Sequence, residues 1–183
     1  MKGAWAILVG LILALALWAP AAQAAATRAE YVAQAEPLCK AASNSLAGPS
    51  KKFAKGLKKA KPKHKPKPGS KAAKTFARRV FRVSGGFYLT FGQKVSGLQR
   101  QLAAIPPPAA DAAVLNQWLG SMSTAAATMT DIATRLRSKS LKKALGAAAQ
   151  VGDIEKELRA TDAVVSGFGF QQCIFFAPNP PAL

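Results

Sequence analysis

Acidic side chains are scarce in this chain. Eight Asp and Glu stand against 26 Lys and Arg, for a net charge of +18 and a pI near 10.5. A protein so charged seeks polyanions. Histidine occurs once, at His64, and cysteine twice, at Cys39 and Cys173. No G-x-S-x-G, P-loop, H-E-x-x-H or C-x-x-C pattern occurs. Glu30 with Glu36, and Asp153 with Glu155, fall at spacings that face different ways on a helix. The inward Glu and Glu-x-x-His sets of metal-binding bundles are missing. His64 sits alone among lysines and reads as a bystander. These gaps argue against an enzyme, and against a metal or other cofactor.

The positive charge is concentrated. From Lys51 to Arg82 there are eleven lysines and three arginines and no acid, while Val83 to Leu183 carries nine bases against six acids. Residues 51 to 71 read KKFAKGLKKAKPKHKPKPGSK, with ten lysines and three prolines. Like charges repel, and too few apolar groups are present to offset the entropy of ordering, so this stretch cannot fold alone. Its first half, KKFAKGLKKA, can form a short helix with Phe53, Leu57 and Ala60 on one side. Its second half, KPKHKPKP, cannot, because proline removes donors and imposes an extended backbone. The region 49–71 is therefore expected to be a Lys/Pro-rich disordered loop.

Lys2 is followed by the uncharged apolar run GAWAILVGLILALALWA, then Pro20 and the small-residue motif Ala22-Gln23-Ala24. That is the layout of a secretory signal peptide over 1–24, with cleavage after Ala24 or else Ala26. An uncleaved membrane anchor is the alternative, since the run approaches the ~18 residues of a span. The expected location is secreted or extracytoplasmic, at the cell envelope. An even cysteine count in an exported protein points to a Cys39–Cys173 disulfide.

Residues 25–183 read as a single helical domain. Thr27 and Glu30 have the spacing of a capping box that starts the first helix. Pro37 kinks that helix or lies just inside its true start, and Gly48-Pro49 is expected to end it. Apolar residues step by three or four from Phe76 to Ile105, which predicts a long second helix beginning at Ser70. Its Gly85-Gly86, Gly92 and Gly97 mark a kink or a close helix crossing. Pro106-Pro107-Pro108 stops it, and Asp111 is placed to cap the third helix. Leu115, Trp118, Met122, Ala125, Met129, Ile132 and Leu136 form a heptad-like seam, with Trp118 as core anchor. A last helix is expected from Leu141 until Gly167-Phe168-Gly169-Phe170 ends it, and a short tail returns Cys173 to the first helix. The fold class is all-α: an antiparallel bundle of about four helices, with the disordered basic loop between the first and second.

The apolar leader, YVAQAEPLCK with its cysteine, the long helix ending in LAAIPPP and the closing GFGFQQC together resemble a loose group of exported helical proteins from actinobacteria and their relatives. The resemblance spans most of the chain but not Lys51 to Lys71, which has the look of an insertion. It implies helical architecture and export and lends no active site.

The candidate polyanion-binding residues are Lys51, Lys52, Lys55, Lys58, Lys59, Lys61, Lys63, Lys65, Lys67, Lys71, Lys74, Arg78, Arg79 and Arg82. Three readings fit them. The first is an anionic envelope polymer or lipid head groups. The second is nucleic acid bound through phosphates without sequence reading, as extracellular DNA. The third reading gives the loop no partner and makes it a solubility device. An amphipathic membrane-active use of Phe53 and Leu57 ranks lowest, for want of a sustained apolar face.

Overall fold

The computed structural model describes residues 27–173. The expected signal peptide and the tail from Ala177 lie outside the described residues. The described residues form helices and no strand: α1 (Arg28–Ala60), α2 (Lys71–Ala103), α3 (Ala112–Leu136), α4 (Leu141–Ala149) and α5 (Val151–Val164), then a 3-10 turn at Ser166–Phe168. α1 packs on α2, α2 on α3, and α3 on both α4 and α5. With α4 and α5 as one interrupted rod, this is the expected four-rod helical bundle. The sequence predicts that last rod as one helix, and the chain divides it at Gln150.

The capping box at the start of α1 is complete. The Glu30 amide donates to Thr27 Oγ1 at 3.2 Å, and the Thr27 amide donates to Glu30 Oε2 at 2.9 Å. α1 then passes through both Pro37 and Pro49 and ends 33 residues on, at Ala60. The expected stop at Gly48-Pro49 is therefore corrected. A proline inside a helix costs about 3 kcal/mol. Packing on α2 offsets that cost. The Phe53 ring stacks on Phe87 with centroids 4.6 Å apart, and Ala60 is buried. Gly56 brings the backbones together, because a Cβ there would stand 2.8 Å from Val83 Cγ1.

The basic stretch accordingly splits in two. Lys51 to Ala60 is helix, and only 61–70 is irregular linker. The linker closes on Gly69, whose φ of 74° suits glycine, and on Ser70, whose Oγ accepts from the Ala73 amide at 3.1 Å.

α2 and α3 form the central pair. Gly85 and Gly92 are the crossing points. A Cβ at Gly85 would lie 2.9 Å from the Ala133 carbonyl oxygen, and one at Gly92 would lie 2.9 Å from that of Ala126. All seven seam residues of α3 are buried, and Trp118 is fully enclosed. Asp111 does not cap α3 through its side chain. It takes a bidentate pair from Arg28 instead, with Nε to Oδ2 at 2.9 Å and Nη2 to Oδ1 at 2.6 Å.

Two cores result. One joins Tyr31, Ala35 and Cys39 of α1 to Leu98 and Leu102 of α2, Leu115 and Trp118 of α3, and the tail residues Val165, Phe170 and Cys173. The other joins Met129, Ile132 and Leu136 of α3 to Ala147, Ile154 and Leu158 of α4 and α5. Phe81, Tyr88 and Phe91 of α2 cover this second core while staying partly exposed. The tail is held at the first core. Phe170 stacks on Trp118 at 5.4 Å and meets Tyr31 edge-on at 6.4 Å. The Glu36 carboxylate accepts from the Gln171 and Gln172 amides at 2.6 and 3.0 Å. Cys39 and Cys173 are bonded, as expected, across 134 residues of chain.

Candidate anion-binding end of the bundle

The fourteen candidate cations fall on three successive segments. Lys51, Lys52, Lys55, Lys58 and Lys59 lie on α1, and Lys61, Lys63, Lys65 and Lys67 on the linker. Lys71, Lys74, Arg78, Arg79 and Arg82 lie on α2. All fourteen are exposed. None makes an ion pair among the described residues, unlike Arg28, which pairs with Asp111, and Arg135, which pairs with Asp131. His64 is exposed in the linker.

Antiparallel packing adds four cations that the linear run does not contain. The α3–α4 turn meets α2 at Arg78, Phe81 and Arg82, and brings Arg137 and Lys139 to them. Lys142 and Lys143 follow on the first turn of α4. Sequence reasoning missed these four. The signal was present: residues 135–143 read RLRSKSLKK without an acid, and in an up-down bundle the end of the third helix lies beside the start of the second.

With Arg137, Lys139, Lys142 and Lys143 added to the fourteen, this end holds eighteen cations, and the one acid beside them on α3, Asp131, is paired with Arg135. The rest of the chain then has eight bases and eight acids. The whole net charge of the protein therefore belongs to one end of the bundle.

Two helix N-termini point the same way. α2 and α4 both begin at this end, and neither has an acid in its first turn. Each N-terminus acts as roughly half a positive charge. Lysines in a first turn oppose the usual preference by about 0.3–1 kcal/mol each, and Lys71, Lys74, Lys142 and Lys143 all sit there. An acid at any of these positions would favour folding.

No protein-family model, curated protein or solved structure matches this chain. The functional reading therefore rests on chemistry.

The hairpin also has an apolar side. A groove of about 660 Å³ runs between α1 and α2, with Phe53, Val83 and Phe87 in its lining and Lys52 and Arg82 beside them. Phe76, Val80 and Leu57 are likewise only partly buried. Among the described residues no helix is long and apolar enough to cross a membrane.

The opposite end is electrically quiet. The Arg28 guanidinium, hydrogen-bonded to Asp111, holds that carboxyl below its usual range, and the same bond raises Arg28. Burial pushes the Tyr31 phenol up. Its hydroxyl and the Trp118 indole nitrogen find no hydrogen-bond partner in the first core.

Proposed function

We propose that this is an exported, non-enzymatic interaction protein whose basic end docks on an anionic surface of the cell envelope, either a polymer or lipid head groups. The observation that carries the reading is the segregation of charge. All eighteen surplus cations sit at one end, and the fourteen of the basic run are exposed and free of ion pairs among the described residues. Gathering like charges without acids costs stability through repulsion. An external polyanion relieves it. The buried Cys39–Cys173 bond supports an oxidising compartment, in keeping with the leader-like N-terminus. The neutral remainder of the bundle stays available to face away from the surface.

The test is co-sedimentation of the full chain with phosphatidylglycerol vesicles and with isolated cell wall. The comparison is a variant carrying Lys61→Gln, Lys63→Gln, Lys65→Gln and Lys67→Gln. These positions lie in the linker and leave both helices intact. At about 1 kcal/mol per lysine near an anionic membrane, partitioning should weaken by roughly two to three decades at low salt. Equal binding by both proteins rejects the reading. Binding of neither protein to any anionic material leaves the linker as a solubility device. Preference for double-stranded DNA over both envelope materials, with affinity falling steeply in salt, assigns the surface to nucleic acid instead.

A further inference from the structure

Within the basic run, lysine gives way to arginine at one place. The eleven cations from Lys51 to Lys74 are all lysine, and the next three are Arg78, Arg79 and Arg82. The change falls where α2 meets the α3–α4 turn. There Arg78, Arg82, Arg137 and Lys139 line a single hollow of about 250 Å³, together with Ser138. At ~30 Å³ per water, that is room for about eight waters, or for one small oxyanion with part of its hydration shell. Phe81 and Leu136 form apolar parts of the wall, which strengthen any charge-assisted bond made beside them.

Two details set this hollow apart from a merely basic surface. The first is how Arg137 is placed. Its Cγ lies 2.7 Å from where a Cβ would stand on Gly85, so the bare backbone at Gly85 makes room for the arginine stem to lie on α2. The second is that its arginines are unspent. Arg28, Arg100 and Arg135 each bond a side-chain acceptor, respectively Asp111, Ser96 and Asp131. Arg78, Arg82 and Arg137 have no acceptor among the described residues. Three planar guanidinium forks from two distant segments thus share one small volume that has no carboxylate in its lining. Such forks make paired bonds to phosphate oxygens, whereas lysine supplies only a point charge. The lysine linker needs no geometry to bind a polyanion, but an arginine cluster around a hollow does.

We propose that this hollow is a phosphate site, which takes a phosphate ester group or a free oligophosphate in preference to a carboxylate. The inference rests on the docking reading above and names the group that the docked surface presents. Phosphate gathers three or more oxygens on one tetrahedral centre and can engage more than one fork within a small volume, whereas each planar carboxylate offers two oxygens and the three groups of citrate diverge.

The test uses the full chain and two probes at equal ionic strength, pyrophosphate and citrate, followed by NMR of the arginine Nε–H resonances. Pyrophosphate should shift Arg78, Arg82 and Arg137 and bind about tenfold more tightly than citrate, the worth of one extra charge-assisted hydrogen bond. A second arm compares vesicles of matched surface charge containing phosphatidylglycerol or oleate. The triple variant Arg78→Lys, Arg82→Lys and Arg137→Lys keeps the charge and should lose the preference while still binding both vesicles. The four-fold linker Gln variant should weaken both vesicles alike and leave the preference intact. If the triple variant loses its helical circular dichroism, Arg137→Lys alone is read in the same way.

A preference for pyrophosphate without one for phosphatidylglycerol supports the site and assigns it to free oligophosphate. Equal affinity for pyrophosphate and citrate overturns the phosphate site, and so does a preference that survives the lysine variant. Either result leaves the docking reading standing.

Discussion

Replacing both Cys39 and Cys173 with alanine tests the closure of the bundle. The bond ties residues 134 apart in the chain. Opening it frees the unfolded state from a loop constraint that chain entropy puts at about 5 kcal/mol for this length. The folded state should change little, because the tail has other anchors. Phe170 is buried between Trp118 and Tyr31, and Glu36 accepts two tail amides. The loss should therefore fall mainly on the unfolded side. With an m-value of about 2 kcal/mol/M, the urea midpoint should drop by roughly 2–2.5 M. Unfolding followed by circular dichroism at 222 nm measures it, and the slope should rise as the unlinked unfolded chain exposes more surface. Reduced wild-type protein should match the variant. A midpoint shift under about 0.5 M would refute the argument, for then the loop would contribute almost nothing.

Phe53→Ala should fray the second half of α1 alone: amide exchange should quicken over residues 50–60 while Tyr31 to Cys39 stays protected, and uniform loss would contradict the docking of this segment on α2. Gly92→Ala should destabilise by about 1–3 kcal/mol through overpacking against the Ala126 carbonyl. Gly97→Ala, with nothing within 4 Å of the new Cβ, should stabilise by up to ~1 kcal/mol, so thermal melts of the pair should move in opposite directions. Asp111 is held below its unfolded value by Arg28, so its contribution is complete above the ordinary carboxylate range and is lost as pH falls through the lowered value. Asp111→Asn should therefore flatten the acid limb of a stability-against-pH curve below about pH 4 and leave its shape near pH 7 unchanged.

Much of this architecture was legible one residue at a time. The capping box at Thr27, the 3-4 seam from Leu115 to Leu136 and the triple-proline stop are local patterns, and each was found where expected. The readings that needed correction share a cause. Gly48-Pro49 is a valid local stop signal, yet α1 continues because α2 offers Phe87 and Val83 to its second half. Asp111 has a good cap identity, yet a bidentate arginine from the start of α1 claims its carboxylate. In each case a partner far along the chain outweighed a local preference, and only the fold says which partner arrives. The break at Gln150 in the last rod has no local marker that would single it out.

The candidate site divides along the same line. Net charge and the concentration of most of it in one run are properties of composition and order, and folding cannot alter them; two cysteines allow a single intrachain pairing, and the fold brings them together. Where those charges stand relative to others is a matter of packing. Arg137 and Lys139 reach Arg78 and Arg82 because glycines at 85 and 92 let α3 lie close on α2 and because the α3–α4 turn comes level with Arg78 to Arg82. Half of the basic run is helix, as its lysines and alanines permit, but its continuity with α1 past Pro49 and its seat on α2 are facts of tertiary contact.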